Sequence, residues 1–328
     1  MSRPLNILLF AFGHAGVNAI RSLRRAGHHI TGCFTHPTMQ SWIPSIEDEC
    51  RRQSVLCSTI APYAQSITGR PDVVLSVFYR RKIDSAVLNC ASLGVFNIAA
   101  SQLPRYRGYF PYRWAIINNE SIWGVTVHQM TDNYCDGAVL HRRPLVLKPQ
   151  ENAYELSLRI ADAADAATME AVAKLSAGNI HLTAADPTGA QFFGHDIPYG
   201  GAIDWHQSAA RIDSFIRALD FGRQVKETYQ HLAAPAAARI GGETMGIYRA
   251  HFGGTMSSYP PGTLTRCDNQ VWVQTARGHL VIERVVADGK DYEAARYFAS
   301  RGFASGDRFD VAHAWVPQTQ GRQLVDAA

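Results

Sequence analysis

Leu5 to Phe12 is apolar at every position except Asn6, and it breaks off at Gly13-His14-Ala15-Gly16. A continuous apolar run, as opposed to an alternating one, predicts a strand buried on both faces, which places it in a parallel sheet flanked by helices. Val17, Ile20 and Leu23 then recur at helical spacing as far as Gly27. The same alternation continues. His29 to Phe34 and Asp72 to Val77 read as strands, Lys82 to Leu88 as a short helix, and Gly94 to Ile98 as a strand. Strands alternating with helices predict an α/β fold with right-handed crossovers. The GHAG turn lacks the G-x-G-x-x-G spacing of a dinucleotide site, and no acidic residue ends the second strand (Cys33-Phe34-Thr35-His36). It reads as a turn that lets the helix pack.

Further along come a helix at Tyr112 to Asn118, a strand GVTVHQM (124–130), a loop TDNYCDG and a strand AVLHRRPLVL (138–147). A long alanine-rich helix spans Glu151 to Ala177, with Leu156, Ile160, Ala163 and Ala167 on one stripe. A second helix places Ile212, Phe215, Ile216 and Leu219 in phase. From Ile240 the period changes to two, with Pro-Pro-Gly, Asp-Asn and Arg-Gly turns, the pattern of a small antiparallel β domain or barrel. A chain of 328 residues has room for two domains. The expected division is 1–205 for the α/β domain, 206–239 for a linker helix region and 240–328 for the β domain with its tail.

A hydrophobic content of 46% with 18% charge excludes a disordered or coiled chain, and the net charge of +4 suits anionic small molecules better than nucleic acid. Six scattered cysteines without a CxxC pair or metal-ligand spacing predict reduced thiols, a cytoplasmic protein and no metal. The N-terminal apolar run is too short to span a bilayer, so no membrane partner is expected.

The segment FNIAASQLPRYRGYFPYRW (96–114) carries the chemistry. Asn97 ends a buried strand, yet only Ile-Ala-Ala separates it from Ser101, and none of these can move a proton. The loop that follows offers Arg105, Tyr106 and Arg107, then Tyr109 and Phe110. The arginines suit a substrate phosphate or carboxylate, or a structural role; the aromatics suit ring stacking, or packing.

These stretches together resemble the tetrahydrofolate-dependent formyltransferases, the group that includes the amino-sugar N-formyltransferases and methionyl-tRNA formyltransferase. The matching elements are FAFGHAG, CFTH (33–36), PDVVLSVFYRRKI (71–83), GVFN…LPRYRG…P…WAIINNE (94–120), GVTVHQM (124–130) and FFG…IDW…RIDSFIRAL (192–219). The resemblance implies a Rossmann-type parallel sheet, a smaller OB-like second domain and 10-formyltetrahydrofolate as cofactor. It also implies a catalytic Asn, His and Asp. The Asn falls on Asn97 and the His on Ala99. A gapless count puts the Asp position on Cys135, whereas compensating shifts in the loop would put it on Asp136. Tyr79, Arg80, Arg81, Lys82 and Ile83 correspond to the segment that wraps the pterin. Asn133 and Tyr134 would form the opposite wall, with His128 as a site wall or a satisfied core histidine. The implied partner is an amine on a small metabolite, such as a nucleotide-linked amino sugar. The tRNA-directed basic insertion has no counterpart in HPTMQSWIPSIEDE, so neither tRNA nor DNA is expected, and a homodimer fits. Two other readings are same-fold chemistry through the Cys135 thiol and a non-catalytic binding relative.

Overall fold

A computed structural model describes residues 3–37, 43–59, 69–186, 188–194, 196–221, 234–255, 258–267 and 269–314. The chain opens with β1 (Asn6–Ala11), α1 (Gly13–Arg25) and β2 (His29–Phe34), followed by α2 (Ile46–Arg52), β3 (Cys57–Ser58) and β4 (Val73–Val77). Then come β5 (Val95–Ala99), β6 (Arg107–Gly108), α3 (Pro111–Ile117), β7 (Ile122–Gln129), β8 (Val139–Val146) and α4 (Ala153–Ser176). Seven of these strands form one sheet in the order β3-β2-β1-β4-β5-β7-β8. The first five are parallel; β7 runs antiparallel to β5 and to β8. The sheet is therefore mixed at one edge. In place of the expected helix at 82–88, Ser85–Asn89 makes a single 3₁₀ turn, too short for α-helical hydrogen bonding to become established.

Alternation along the strands gives the sheet two different faces. On one, Ile7, Leu9, Leu75, Phe96, Ile98, Val125 and Val127 join the main core, against α1 and α4. On the other, Leu8, Phe10, Val74 and Val95 meet Ile83 and Val87 in a smaller cluster. The helix α4 is fixed at its start by a capping box: Asn152 accepts from the Glu155 amide, and Glu155 accepts from that of Asn152. Its stripe of Leu156, Ile160, Ala164, Ala167 and Ala171 is fully buried. Each of the two larger side chains contributes about 1.5–3 kcal/mol through that burial. The GHAG turn behaves as a packing device. A Cβ on Gly16 would lie 2.8 Å from Ile46 and 2.9 Å from the Ala11 Cβ, so only glycine lets α1 approach this closely.

β9 (Phe192–Phe193) pairs in parallel with β6, and α5 (Ala209–Leu219) packs on α3. The second sheet contains β10 (Ala236–Ile240), β11 (Glu243–Gly254), β12 (Leu264–Cys267), β13 (Gln270–Gln274), β14 (His279–Ala287) and β15 (Lys290–Glu293). It is antiparallel throughout, and α6 (Ala294–Ser300) packs against it. Within the stretch expected as a linker, α5 is a packed helix lying against β11, β10 begins at Ala236, and residues 222–233 lie outside the described residues. The Ile203 amide donates to the Ala237 carbonyl at 2.8 Å, joining the two sheets' surroundings directly. Among the described residues no helix is long and apolar enough to cross a membrane.

Candidate functional site

On the face carrying the smaller cluster, the apolar rows of β4 and β5 each end in a polar residue. Ser76 follows Val74 and Asn97 follows Val95, while the antiparallel register sets His128 opposite Asn97. Three polar side chains thus line up across three adjacent strands. Ser76 Oγ donates to Asn97 Oδ1 at 2.8 Å, and Asn97 Nδ2 lies 3.2 Å from His128 Nε2. His128 Nδ1 lies 2.9 Å from the Gln129 carbonyl, which can only accept. His128 therefore carries its proton on Nδ1, and Nε2 accepts from the Asn97 amide. The chain of donors runs one way, from Ser76 through Asn97 and His128 to the backbone. It holds the amide with Oδ1 satisfied and one of its two N–H groups uncommitted. Asn97 is half-buried.

Burial lowers the pKa of His128, the nearby Arg107 charge adds to that, and the Gln129 hydrogen bond opposes it. Protonating Nε2 would set two donors against each other and force the Asn97 amide to rotate. Since the folded value lies below the ordinary value of about 6.5, His128 contributes stability at higher pH that is lost as pH falls through the folded value. Ligand affinity at this site is expected to show an acidic limb below pH ~6.5. A titration of affinity against pH checks it, and a limb above that value would contradict the neutral assignment.

At the position where an imidazole is expected, Ala99 faces Thr126 across the strand pair. The Thr126 hydroxyl is fully engaged, donating to the Ser101 carbonyl at 2.7 Å and accepting from the Leu103 amide at 3.2 Å. Among the described residues, the Ala99–Thr126 pair brings no titratable side chain to this position.

Arg107 is placed by the β6–β9 ladder, in which Gly108 is required: a Cβ there would lie 2.1 Å from the Phe193 carbonyl oxygen. Its Nε and Nη2 are buried and find no hydrogen-bond acceptor among the described residues. The nearest anion is Asp136, with Oδ1 3.6 Å from Nη2, too long for a hydrogen bond. Asp136 also accepts from Asn133 Nδ2 at 3.2 Å and is 44% exposed, so its recorded partners are its own turn and Arg107. Cys135 is half-buried with a left-handed backbone (φ +55°). Burial pushes its thiol pKa up; the Arg107 charge and a Gly108 backbone hydrogen bond pull the other way and are outweighed. A thiol held protonated is a poor nucleophile. Cys135→Ser is accordingly expected to leave any transfer rate unchanged within error, and a loss of all turnover would restore the thiol reading.

The other expected site residues divide. Tyr106 is 2% exposed, stacked on Phe193 at 5.1 Å and edge-on to Trp123 at 4.8 Å, with its hydroxyl 2.6 Å from Glu120. Expected at the substrate, Tyr106 has its ring in the core, because the loop turns inward between Arg105 and Arg107. Arg105 pairs with Glu120 and lies over the Tyr106 ring. Tyr109 is exposed at 46% and Tyr134 at 70%, and Asn133 is also exposed. After β4 the chain turns sharply at Phe78 (φ +54°). Tyr79 then packs edge-on to Phe10 at 5.4 Å, and the Arg80 guanidinium lies 4.4 Å from the Phe12 ring centre. Arg81 and Lys82 are exposed, whereas the Ile83 side chain is buried in the small cluster and offers a ligand only its backbone. His36, stacked on Phe12 at 4.1 Å, has its pKa lowered to about 4 by burial and then by Arg80 and Arg81.

Sequence reasoning missed Ser76, the residue that orients Asn97. The available signal was a lone hydroxyl in the otherwise apolar strand VVLSV. An open concavity lined by Arg266, Cys267, Asn269 and 302–305 lies in the second sheet's region, apart from this row.

The fold and the polar row define a two-domain α/β protein with its candidate site at the ends of the central strands. The formyl transferase family model matches residues 59–172, and the formyl transferase C-terminal domain model matches 198–302. The chain belongs to the formyltransferase family. It is similar in fold to the sugar 3-N-formyltransferase WlaRD, solved with dTDP and 5-N-formyl-THF, with a TM-score of 0.68 and 16% identity over 88% of this chain and 99% of that one. An N-formyltransferase from Helicobacter canadensis, solved with folinic acid and dTDP-3-aminofucose, gives 0.67 and 15% over 88% and 100%. HypX from Aquifex aeolicus, in complex with tetrahydrofolic acid, gives 0.60 and 17% over 92% of this chain and 49% of HypX, so this chain spans about half of that protein.

Proposed function

We propose that this protein is a folate-dependent one-carbon transferase acting on an amine of a small metabolite, in which Asn97 is the resident donor to the reacting carbonyl oxygen. The observation that carries the reading is the one-way chain Ser76–Asn97–His128, which leaves one Asn97 N–H uncommitted on a half-buried residue. The residues present fit a ligand with a carbonyl oxygen and an anionic group: Asn97 supplies a pre-oriented N–H, and Arg107 supplies Nε and Nη2, which make no hydrogen bond among the described residues. When bound, a 10-formyl folate supplies an electrophilic formyl carbon. Loop 78–83 and loop 131–137, with Tyr79–Ile83, Asn133 and Tyr134, would hold it. The relatives solved with folates and dTDP-sugars support the same ligand classes.

In this arrangement Asn97 lowers the cost of charge on the carbonyl oxygen. A fixed donor needs no reorganisation as that charge develops. The Arg107 guanidinium supplies the positive charge that an imidazolium at position 99 would have supplied, because its field already reaches His128, the neighbour of Asn97. His128 holds the amide orientation and does not move a proton. Asp136 is the carboxylate nearest to Arg107 and is the candidate to accept the amine proton, directly or through water.

Isothermal titration of the full chain with a non-hydrolysable formylfolate analogue tests the reading. Saturable binding that weakens in Arg107→Gln is expected. No heat at millimolar ligand would remove folate from the proposal.

A further inference from the structure

Three cysteines far apart in sequence meet at the far edge of the first sheet, away from the polar row. Cys33 on β2 pairs directly with Cys57 on β3, and α2 brings Cys50 over them. Their three Sγ atoms all lie within 4.8 Å of one another. We propose that Cys33, Cys50 and Cys57 form a three-thiolate site for a thiophilic d¹⁰ metal ion, zinc(II) or copper(I).

The geometry suits such an ion. With metal–sulfur bonds of about 2.3 Å, a tetrahedral or trigonal centre needs its sulfurs about 3.8–4.0 Å apart. Separations of at most 4.8 Å lie within reach of that spacing by side-chain adjustment alone. The donors are sulfur alone, which selects soft cations over magnesium or calcium. Among the described residues no fourth His, Cys, Asp or Glu joins the group. The neighbouring carboxylate, Glu49, is already saturated by Arg21 at 2.8 Å, Arg52 at 2.7 Å and Gln53 at 3.1 Å. Cys33 and Cys50 are buried, while Cys57 is exposed, so an ion can enter on the Cys57 side and copper(I) can remain three-coordinate. Zinc there would take water as a fourth ligand. Binding displaces the remaining thiol protons into solvent.

The cluster also has structural work to do. β3 is only two residues long and joins the sheet through the Cys33–Cys57 and Phe34–Ser58 pairs. An ion bound to β2, α2 and β3 would clamp that edge.

Cobalt(II) titration of the reduced, metal-stripped full chain tests the site for zinc-type coordination. Competition with a bathocuproine chelator tests it for copper(I). Expected is one ion per chain, seen as thiolate-to-cobalt charge-transfer absorption or as copper retained against the chelator. Thiol reagent should then label Cys57, the exposed member of the three, far more slowly in the loaded protein than in the metal-free one. Cys57→Ser, at the exposed position, should abolish the signal and protection, whereas Cys267→Ser should leave both intact. A rise in Tm on loading, absent in Cys57→Ser, would agree. The proposal falls if neither ion binds at one equivalent, if Cys57→Ser binds as the parent does, or if peptide mapping without reductant shows two of the three joined as a disulfide in the isolated protein.

Discussion

Asn97→Ala is expected to lower the transfer rate by about 10²–10³ while leaving the fold intact, the loss measured when one oxyanion donor is removed from an acyl-transfer site. The substitution also strands two buried groups, the Ser76 hydroxyl and His128 Nε2, which now lack their partner. Leaving a buried polar group unsatisfied costs about 1–3 kcal/mol, so a lower Tm should accompany the lost rate. Ser76→Ala separates the two effects. It removes the clamp on Oδ1 and keeps the donor, so kcat should fall far less than in Asn97→Ala. Single-turnover rates and thermal melts on both variants check this. Equal rates for Asn97→Ala and the parent would show that Asn97 is a remnant that takes no part in transfer.

Gly137→Ala carries the largest expected structural effect close to the site. A Cβ there would lie 1.9 Å from the Gln129 carbonyl oxygen and 3.3 Å from Thr131 Cγ2, so backbone has to move. The same carbonyl accepts from His128 Nδ1, and the Gln129 amide donates to the Ala138 carbonyl at 2.8 Å. Pushing it aside therefore opens the β7–β8 turn and releases the tautomer lock on His128 together. A loss of about 1–3 kcal/mol is expected, with a parallel loss of ligand affinity. Denaturant melts and the folate-analogue titration, run on the same preparation, measure both. Parental stability and affinity in the variant would show that this turn does not hold the His128 tautomer.

Of the stretches that carried the resemblance to formyltransferases, those from 71–83 onward fall largely within the two family models, whereas FAFGHAG and CFTH lie before the matched residues. The gap at position 99 was equally plain, since an alanine reads the same in any fold. Other features were legible only as alternatives. RYRG offered two arginines and a tyrosine on equal terms. The structure separates them by direction: Arg105 turns outward to Glu120, Tyr106 inward to Trp123, and Arg107 toward His128 and Cys135. Loop backbone direction decides this, and composition does not encode it. The Asp136 question was also local in sequence but non-local in answer, because the carboxylate's charged partner comes from β6.

The order of strands and helices, the buried apolar runs and the change to period two near Ile240 are set by the chain's own pattern, because burial on one face or two leaves its period in neighbouring residues. Distance across a sheet leaves no such period. Ser76 reaches Asn97 only through the β4–β5 register, Asn97 reaches His128 only because β7 runs backwards, and Cys33, Cys50 and Cys57 share no spacing signature yet converge at the β2–β3 edge. The sequence supplied the side chains, and strand register and direction, which only tertiary pairing fixes, chose which of them meet.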